Sequence, residues 1–159
     1  MTIVVDVGCM SYPDHPGDES VRKLIKRFSP AYLFGFDPHP LLSERPEMIG
    51  ETLVIRSRKA AWTADGFIGF VRAPAVLNDL RSYVSTNEGM QVACFDLAEW
   101  LFDLGQRVVL KIDAEGAEHA LVPHLVRRGA IDLVELLLVE WHGEPEFDLS
   151  TLDCPVEAW

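Results

Sequence analysis

A buried strand that ends in acidic residues constrains this chain more than any other feature. The apolar run from Val108 to Ile112 stops abruptly at Asp113 and Glu115, which are followed by Gly116. Such apolar runs are typical of strands covered on both faces, as in parallel sheets. In an open α/β sheet, ligands bind just outside the carboxyl ends of the strands. The sequence therefore predicts a site at the end of this strand.

A second predicted strand ends in the same way. The apolar run from Leu133 to Val139 is followed by Glu140, Trp141 and His142. Because the carboxyl ends of neighbouring parallel strands lie at one edge of a sheet, we expect the acidic and imidazole groups of both runs to converge there.

Length and composition indicate a single domain that spans residues 1–159. Of the 159 residues, 48% are hydrophobic and 25% are charged, the usual balance for a globular protein. No apolar run approaches the roughly 18 residues that span a bilayer, and the N-terminus lacks the pattern of a secretory signal. Cys9, Cys94 and Cys154 are odd in number and widely spaced, which argues against a disulfide framework. We therefore expect a cytoplasmic protein with no membrane partner.

The net charge argues against one class of partner. It is −11, and the acidic residues are spread along the chain. A phosphate backbone repels such a chain, so we expect no nucleic-acid partner and favour a small-molecule or glycan substrate.

Strands and helices are predicted to alternate along the chain. The predicted strands are Thr2–Val7, Tyr32–Phe36, Leu53–Arg56, Phe67–Val71, Gln91–Phe95 and the runs that begin at Val108 and Leu133. The predicted helices run from about Asp18, as N-cap, to Phe28, from Leu97 to a stop at Gly105, and from near Gly116 to an interruption at Pro123. Ala64-Asp65-Gly66 is interpreted as a hairpin turn, and the segment Arg72–Gly89 as irregular. This alternation predicts an α/β fold in which a mostly parallel sheet carries helices on both faces.

The first predicted strand ends in a turn that suits a ligand. Asp6-x-Gly8 lets the backbone pass close to a group bound at the N-terminus of the next helix. Asp37 ends the second strand, where an acidic side chain can accept hydrogen bonds from both hydroxyls of a ribose. The turn lacks the G-x-G-x-x-G fingerprint of dinucleotide sites, so a ligand with a ribose and no phosphate is preferred. The alternative is an ordinary strand-to-helix turn, with Asp37 solvated or capping a helix.

Five segments together resemble FkbM-type methyltransferases. They are Val5-Asp-Val-Gly8, Phe34-Gly-Phe-Asp-Pro38, Ala60-Ala-Trp-Thr-Ala-Asp-Gly66, Leu110-Lys-Ile-Asp-Ala-Glu-Gly-Ala-Glu118 and Leu138-Val-Glu-Trp-His142, in the order seen in that family. The resemblance covers most of residues 3–143, and its most specific part is Lys-Ile-Asp-x-Glu-Gly-x-Glu. It implies a Rossmann-like class I methyltransferase core that binds S-adenosylmethionine. The typical activity is O-methylation of hydroxyls on sugars or natural products.

The resemblance also implies which residues contact the cofactor. Asp6, Gly8 and Cys9 would line the methionine side, Asp37 would hold the ribose, and the turn containing Ala61 would lie near the adenine.

Two features depart from the family's pattern. The loop from Gly8 to Gly17 is longer and richer in proline than usual. Few residues follow the fifth core strand, so the last helix and β-hairpin of a class I methyltransferase do not fit, and we expect a core truncated at the C-terminus. Cover for the substrate would then come from Arg72–Gly89, from a second subunit of a homo-oligomer, or from a large substrate.

The acidic edge offers groups that could remove the proton of an acceptor hydroxyl. The candidate catalytic residues are Asp113, Glu115, Glu140 and His142. Histidine is the side chain that titrates closest to neutral pH, so His142 is the natural base, and Glu140 could orient it. The alternative for His142 is an exposed position in a turn. Glu118 and His119, further along the chain, are predicted to face solvent.

A metal-assisted reaction is a further hypothesis for the same residues. Asp113, Glu115 and Glu140 offer the oxygen ligands that Mg²⁺ and Ca²⁺ prefer. A bound cation would lower the pKa of the acceptor hydroxyl. The alternative is that these carboxylates cap the next helix or bind substrate hydroxyls.

Two functions from different classes remain open. The first is an S-adenosylmethionine-dependent O-methyltransferase, and the second is a non-catalytic protein of that fold that binds a nucleoside-like ligand or a protein partner. Asp37, Asp113, Glu115 and Glu140 favour the enzyme, because an inert scaffold has no need of carboxylates at the ends of buried strands. The atypical first loop and the short C-terminus favour the alternative.

Overall fold

The computed structural model describes residues 1–10, 20–71, 82–145 and 147–159. The strands in these ranges are β1 (Ile3–Val7), β2 (Tyr32–Phe36), β3 (Glu47–Ile49), β4 (Thr52–Ser57), β5 (Ala60–Trp62), β6 (Gly66–Val71), β7 (Tyr83–Ser85), β8 (Met90–Asp96), β9 (Val108–Ile112), β10 (Val134–Val139) and β11 (Val156–Ala158). The α-helices are α1 (Ser20–Phe28), α2 (Leu97–Leu104) and α3 (Glu118–Arg128). None of these helices is long and apolar enough to cross a bilayer.

A seven-stranded sheet holds the centre of the fold. Its strand order is β11-β10-β9-β1-β2-β4-β3, in which β3 pairs antiparallel with β4 and the other neighbours pair parallel. All five residues of β1 and all five of β9 are buried, because layers cover both faces of the sheet there. The carboxyl ends of β2, β1, β9 and β10 therefore lie side by side.

The predicted fold class is wrong. The sequence predicted a Rossmann-like class I methyltransferase core, with one mostly parallel sheet and helices on both faces. The described residues instead form two sheets of mixed strand direction, with eleven strands against three α-helices. The second sheet has the order β5-β8-β6-β7, in which β6 pairs antiparallel with both β8 and β7. The fold is an α/β arrangement rich in strands.

The connection between β2 and β4 contains prolines that disfavour a helix. Pro38, Pro40 and Pro46 lie between β2 and β4, and proline both lacks an N–H and clashes with the preceding helical turn. That connection therefore carries the short antiparallel strand β3. The hairpin predicted at Ala64-Asp65-Gly66 is also absent from these residues, since β5 and β6 do not pair with each other and each pairs with β8.

Two apolar layers pack against opposite faces of the central sheet. On one face, Val21 and Leu24 of α1 lie in one cluster with Val4 and Leu33 of the sheet. On the other face, α2, α3 and part of the second sheet cluster with the intervening residues of the same strands, including Val5. Because successive side chains of a strand point to opposite faces, alternate residues of β1 serve the two layers.

The ends of the helices follow from identifiable residues. Asp96 caps α2, since its Oδ1 accepts hydrogen bonds from the N–H groups of Ala98 and Glu99, and Gly105 ends the helix in the left-handed conformation. The interruption predicted at Pro123 does not occur, and α3 continues through it. The N-cap predicted at Asp18 and residues 72–81 of the segment predicted as irregular lie outside the described residues.

Asp96 is predicted to stabilise the junction between α2 and α3. Its carboxylate also lies 2.8 Å from Nε2 of His124 and 3.1 Å from Nη1 of Arg128, both on α3. Replacing Asp96 by alanine should lower the free energy of unfolding by about 2–4 kcal/mol, through loss of the cap and of the buried partner of His124. Urea unfolding measures this change. The exposed Asp103→Ala is the control and should change the value by less than about 0.5 kcal/mol; an equal effect of both variants would contradict the assignment.

Candidate functional site

A cleft of about 550 Å³ opens at the carboxyl ends of the parallel strands. Its volume lies in the range of roughly 300–1,000 Å³ that is typical of small-molecule sites. The central sheet contributes the turns after β1, β2, β9 and β10, and the second sheet contributes apolar side chains opposite them. Lining residues include Gly8, Asp37, Ala61, Phe70, Asp113, Glu115 and Glu140.

The structure brings the four predicted catalytic residues together at one end of this cleft. The carboxylates of Glu115, Glu140 and Asp113 lie 3.3, 3.9 and 4.0 Å from Nε2 of His142. Asp113, Glu115 and Glu140 line the cleft, and His142 lies directly beside them with 23% of its side chain exposed. We refer to Asp113, Glu115, Glu140 and His142 as the acidic end.

The buried carboxylate of Glu118 holds His142 through the backbone N–H and Nδ1 of that residue. Its Oε1 accepts a hydrogen bond from the backbone N–H of His142 at 2.8 Å and lies 3.1 Å from Nδ1 of the same residue. Its Oε2 accepts from the N–H of Gly116 at 2.9 Å. Because both of its oxygens act as acceptors, Glu118 favours a hydrogen on Nδ1 of His142, whereas Nε2 lies on the side of the three carboxylates.

The prediction that Glu118 faces solvent is wrong, because its side chain is fully buried. Glu118 is the first residue of α3, and its side chain points back toward the strand ends. His119 also turns inward, with its Nε2 3.1 Å from the carbonyl oxygen of His142. The signal that could have identified Glu118 is a carboxylate at the start of a helix that follows directly on an acidic strand end.

Asp37 follows β2, on the far side of β1 from the acidic end, and Gly8 lies in the turn between them. We call Gly8 and Asp37 the nucleoside end, after the ligand that the sequence predicts there. Gly8 has a φ of +83°, and a Cβ there would lie 1.7 Å from the carbonyl oxygen of Asp113, so only glycine fits. Ala61 lines the same cleft from β5, together with Phe70 of the second sheet.

The carboxylate of Asp37 is held by backbone groups. Its Oδ2 accepts a hydrogen bond from Met10 N–H at 3.1 Å, and its Oδ1 accepts from His39 N–H at 2.9 Å. An ionised carboxylate offers about four acceptor sites, so each oxygen can accept a further bond. Burial raises the pKa of Asp37 to about 6, against the opposing effect of the two backbone hydrogen bonds.

Two residues predicted to contact the cofactor lie beneath the cleft and do not line it. Asp6 is fully buried, and burial raises its pKa above the ordinary value. Cys9 is 2% exposed and packs against Gly35, where an added Cβ would lie 2.8 Å from its Sγ. Burial, reinforced by the negative charges of Asp6 and Asp37, raises the pKa of the Cys9 thiol well above its usual value.

The prediction of site residues omitted Lys111, which joins the two ends of the cleft from below. It is fully buried in β9, with its Nζ 3.0 Å from Oδ1 of Asp6 and 3.3 Å from Oδ2 of Asp113. Burial alone would lower the pKa of Lys111, but the charges of Asp6 and Asp113 outweigh it and raise the pKa. A lysine inside an apolar run was the available signal, since a buried ammonium requires a charged partner.

Three groups of the acidic end have a geometry that a metal ion could use. One ligand atom each from Asp113, Glu140 and His142 lies within 4.8 Å of the other two. The sequence had predicted Asp113, Glu115 and Glu140. An imidazole nitrogen beside two carboxylates fits a divalent transition-metal ion at least as well as Mg²⁺, which prefers oxygen ligands alone.

Comparisons with known proteins do not add to this geometry. No protein-family model, no curated protein and no solved structure matches the chain. The resemblance to FkbM-type methyltransferases therefore stays a prediction, and the function is argued from the site itself.

We predict that neutral His142 is the tautomer with hydrogen on Nδ1. Two-bond ¹H–¹⁵N correlation spectra of the imidazoles above neutral pH measure this directly. In Glu118→Gln, the side-chain amide cannot accept on both of its atoms, so we expect the fixed tautomer to be lost and the free energy of unfolding to fall by about 1–3 kcal/mol. Hydrogen on Nε2 in the unmodified protein would contradict the role given to Glu118.

Proposed function

We propose that this protein is an S-adenosylmethionine-dependent methyltransferase that methylates a hydroxyl group on a sugar or small natural product. One observation carries the proposal. A single cleft has a carboxylate suited to a ribose, Asp37, at one end and a base suited to a hydroxyl, His142, beside the other. The three free cysteines accord with work in the reducing cytoplasm.

The nucleoside end has the features that this cofactor needs. Asp37 retains acceptor capacity on both oxygens for the two ribose hydroxyls, and Gly8, which packs on the carbonyl oxygen of Asp113, lines the cleft beside it. Apolar side chains of the second sheet, including Phe70, offer a surface for the adenine ring of the cofactor. No basic cradle for a diphosphate is needed, because the cofactor carries no phosphate.

The acidic end has the features that the acceptor needs. S-adenosylmethionine supplies the methyl group as an electrophile bound to a positively charged sulfur. Asp113 and Glu140 can bind and orient an acceptor hydroxyl within reach of Nε2 of His142, which takes the proton. Glu118 then stabilises the imidazolium through Nδ1. General-base catalysis of this kind contributes about 10²–10⁴-fold to a rate, and orientation of the hydroxyl contributes further.

A divalent cation such as Mg²⁺ is a second candidate for activating the hydroxyl. The convergence of ligand atoms from Asp113, Glu140 and His142 supports it. A cation bound to Nε2 would prevent His142 from acting as the base, so the two routes exclude each other. Methyl transfer that survives removal of metal ions by a chelator supports general-base catalysis by His142. Transfer that is lost and then restored by a divalent ion supports activation of the hydroxyl by a bound cation.

The alternative function is binding of a nucleoside-like ligand without catalysis. It shares the nucleoside end with the enzyme and differs only at the acidic end. Binding of S-adenosylhomocysteine without methyl transfer to any acceptor in a broad hydroxyl screen would favour this alternative.

We expect S-adenosylhomocysteine to bind the protein in calorimetric titration, and Asp37→Ala to weaken this binding. Each hydrogen bond to a charged group contributes about 1.5–3 kcal/mol, so the loss should be at least about tenfold. The exposed Asp153→Ala is the control and should bind as the unmodified protein does. No binding by the folded protein, or equal binding by both variants, would contradict the proposal.

The affinity is also predicted to depend on pH through Asp37. The pKa of this carboxyl is raised to about 6, so it is ionised above pH 6 and accepts hydrogen bonds from the ribose. Protonation on acidification through pH 6 removes acceptor capacity, and the affinity should fall there. Titrations across this window on the unmodified protein and Asp153→Ala should show the same fall. An affinity that stays constant or rises as the pH drops would argue against a ribose on Asp37.

A further inference from the structure

We propose that Lys111 is a positioning residue that sets the Gly8 turn and the Asp113 carboxylate relative to each other. The local geometry can be tested without knowing the ligand. Its consequence for methyl transfer rests on the proposed function.

The contacts of Lys111 reach both ends of the cleft. Its Nζ donates a hydrogen bond to the carbonyl oxygen of Gly8 at 2.9 Å and lies 3.5 Å from that of Val7. The same atom lies 3.0 Å from Asp6 and 3.3 Å from Asp113. Its side chain is fully buried, so these contacts are not weakened by competing water, and its Nζ also lies 5.7 Å from the centre of the Trp159 ring.

The contact with Asp113 determines which oxygen faces the cleft. Oδ2 of Asp113 is directed to Lys111, whereas Oδ1 is the oxygen that lies 4.0 Å from Nε2 of His142. One oxygen is therefore held from below while the other is presented to the acidic end. Without the ammonium, nothing in these contacts would fix the rotation of that carboxylate.

The Gly8 turn and Asp113 also touch through their backbones. Asp113 N–H donates to the carbonyl oxygen of Val7 at 3.0 Å, and Gly8 packs so closely on the Asp113 carbonyl that no Cβ fits between them. The two segments therefore share one backbone junction. Lys111 stabilises this junction from the side opposite the ligand.

A purely structural role makes a different prediction from a positioning role. If Lys111 only neutralises the buried Asp6, replacing both by apolar residues should restore the whole fold, because buried ion pairs can be exchanged for apolar residues at little cost. The variant Asp6→Val with Lys111→Met makes this exchange. It removes the contacts with Gly8 and Asp113 while leaving no unpaired charge between β1 and β9.

Amide hydrogen exchange measured by NMR separates the two roles. In the double variant we expect the N–H groups of Gly8 and Asp113 to exchange at least about tenfold faster, whereas those of Val5 and Leu110 keep their protection. The exposed Asp103→Ala, which retains Lys111 and Asp6, is the control and should leave all four unchanged. Unchanged protection at Gly8 and Asp113, or an equal loss at all four amides, would overturn the proposal.

A second variant covers failure of the double variant to fold. Lys111→Arg keeps the charge beside Asp6, but its planar guanidinium cannot reproduce the contacts of a compact ammonium. The proposal predicts the same selective loss of protection at Gly8 and Asp113. Full protection at both amides in this variant would overturn it.

A functional readout tests the link to catalysis. Asp113→Asn should lower kcat/KM for methyl transfer in the unmodified protein, and should cause no further loss in the double variant, where Asp113 is already misplaced. Losses that multiply would overturn the claim that Lys111 acts through Asp113. If the unmodified protein does not bind S-adenosylhomocysteine, the proposed function fails, while the exchange measurement still decides the role of Lys111.

Discussion

The buried ammonium of Lys111 is the interaction on which the site depends. An unpaired charge inside a sheet is costly, so the sheet must supply it with carboxylates. Asp6 on β1 and Asp113 after β9 supply them, and the carbonyl oxygen of Gly8 completes the set. These contacts join the ends of β1 and β9 beneath the cleft.

Because these strands run parallel, the polar groups that follow them lie together at one edge of the sheet. Four neighbouring strands end at the same edge of the sheet, and the residues that follow them, including Asp37 and Glu140, line one cleft. The two ends of the cleft differ in the groups that hold their functional side chains. Asp37 is held by backbone N–H groups at the nucleoside end, whereas His142 is held by the buried carboxylate of Glu118 beside the acidic end.

Sequence patterns could identify the strands with long apolar runs and the residues at their ends. The convergence of Asp113 and Glu140 could therefore be predicted from the sequence, since it requires only that the strands before them are parallel neighbours in one sheet. The second sheet could not be predicted in this way, since β5 and β6 both pair with β8, which lies further along the chain. Glu118 was missed because helical periodicity does not show that the first turn of a helix points back to a strand end. The predicted fold class was wrong because short and proline-rich segments, such as the one that carries β3, form strand pairs that local sequence patterns do not predict.

In the proposed function, one ligand spans the cleft from Asp37 toward His142. A crystal structure of the protein with S-adenosylhomocysteine tests it most directly. We expect both ribose hydroxyls to bind the carboxylate of Asp37 and the sulfur to face the acidic end formed by Asp113, Glu115, Glu140 and His142. A ligand whose ribose lies away from Asp37, or whose sulfur points away from His142, would contradict it.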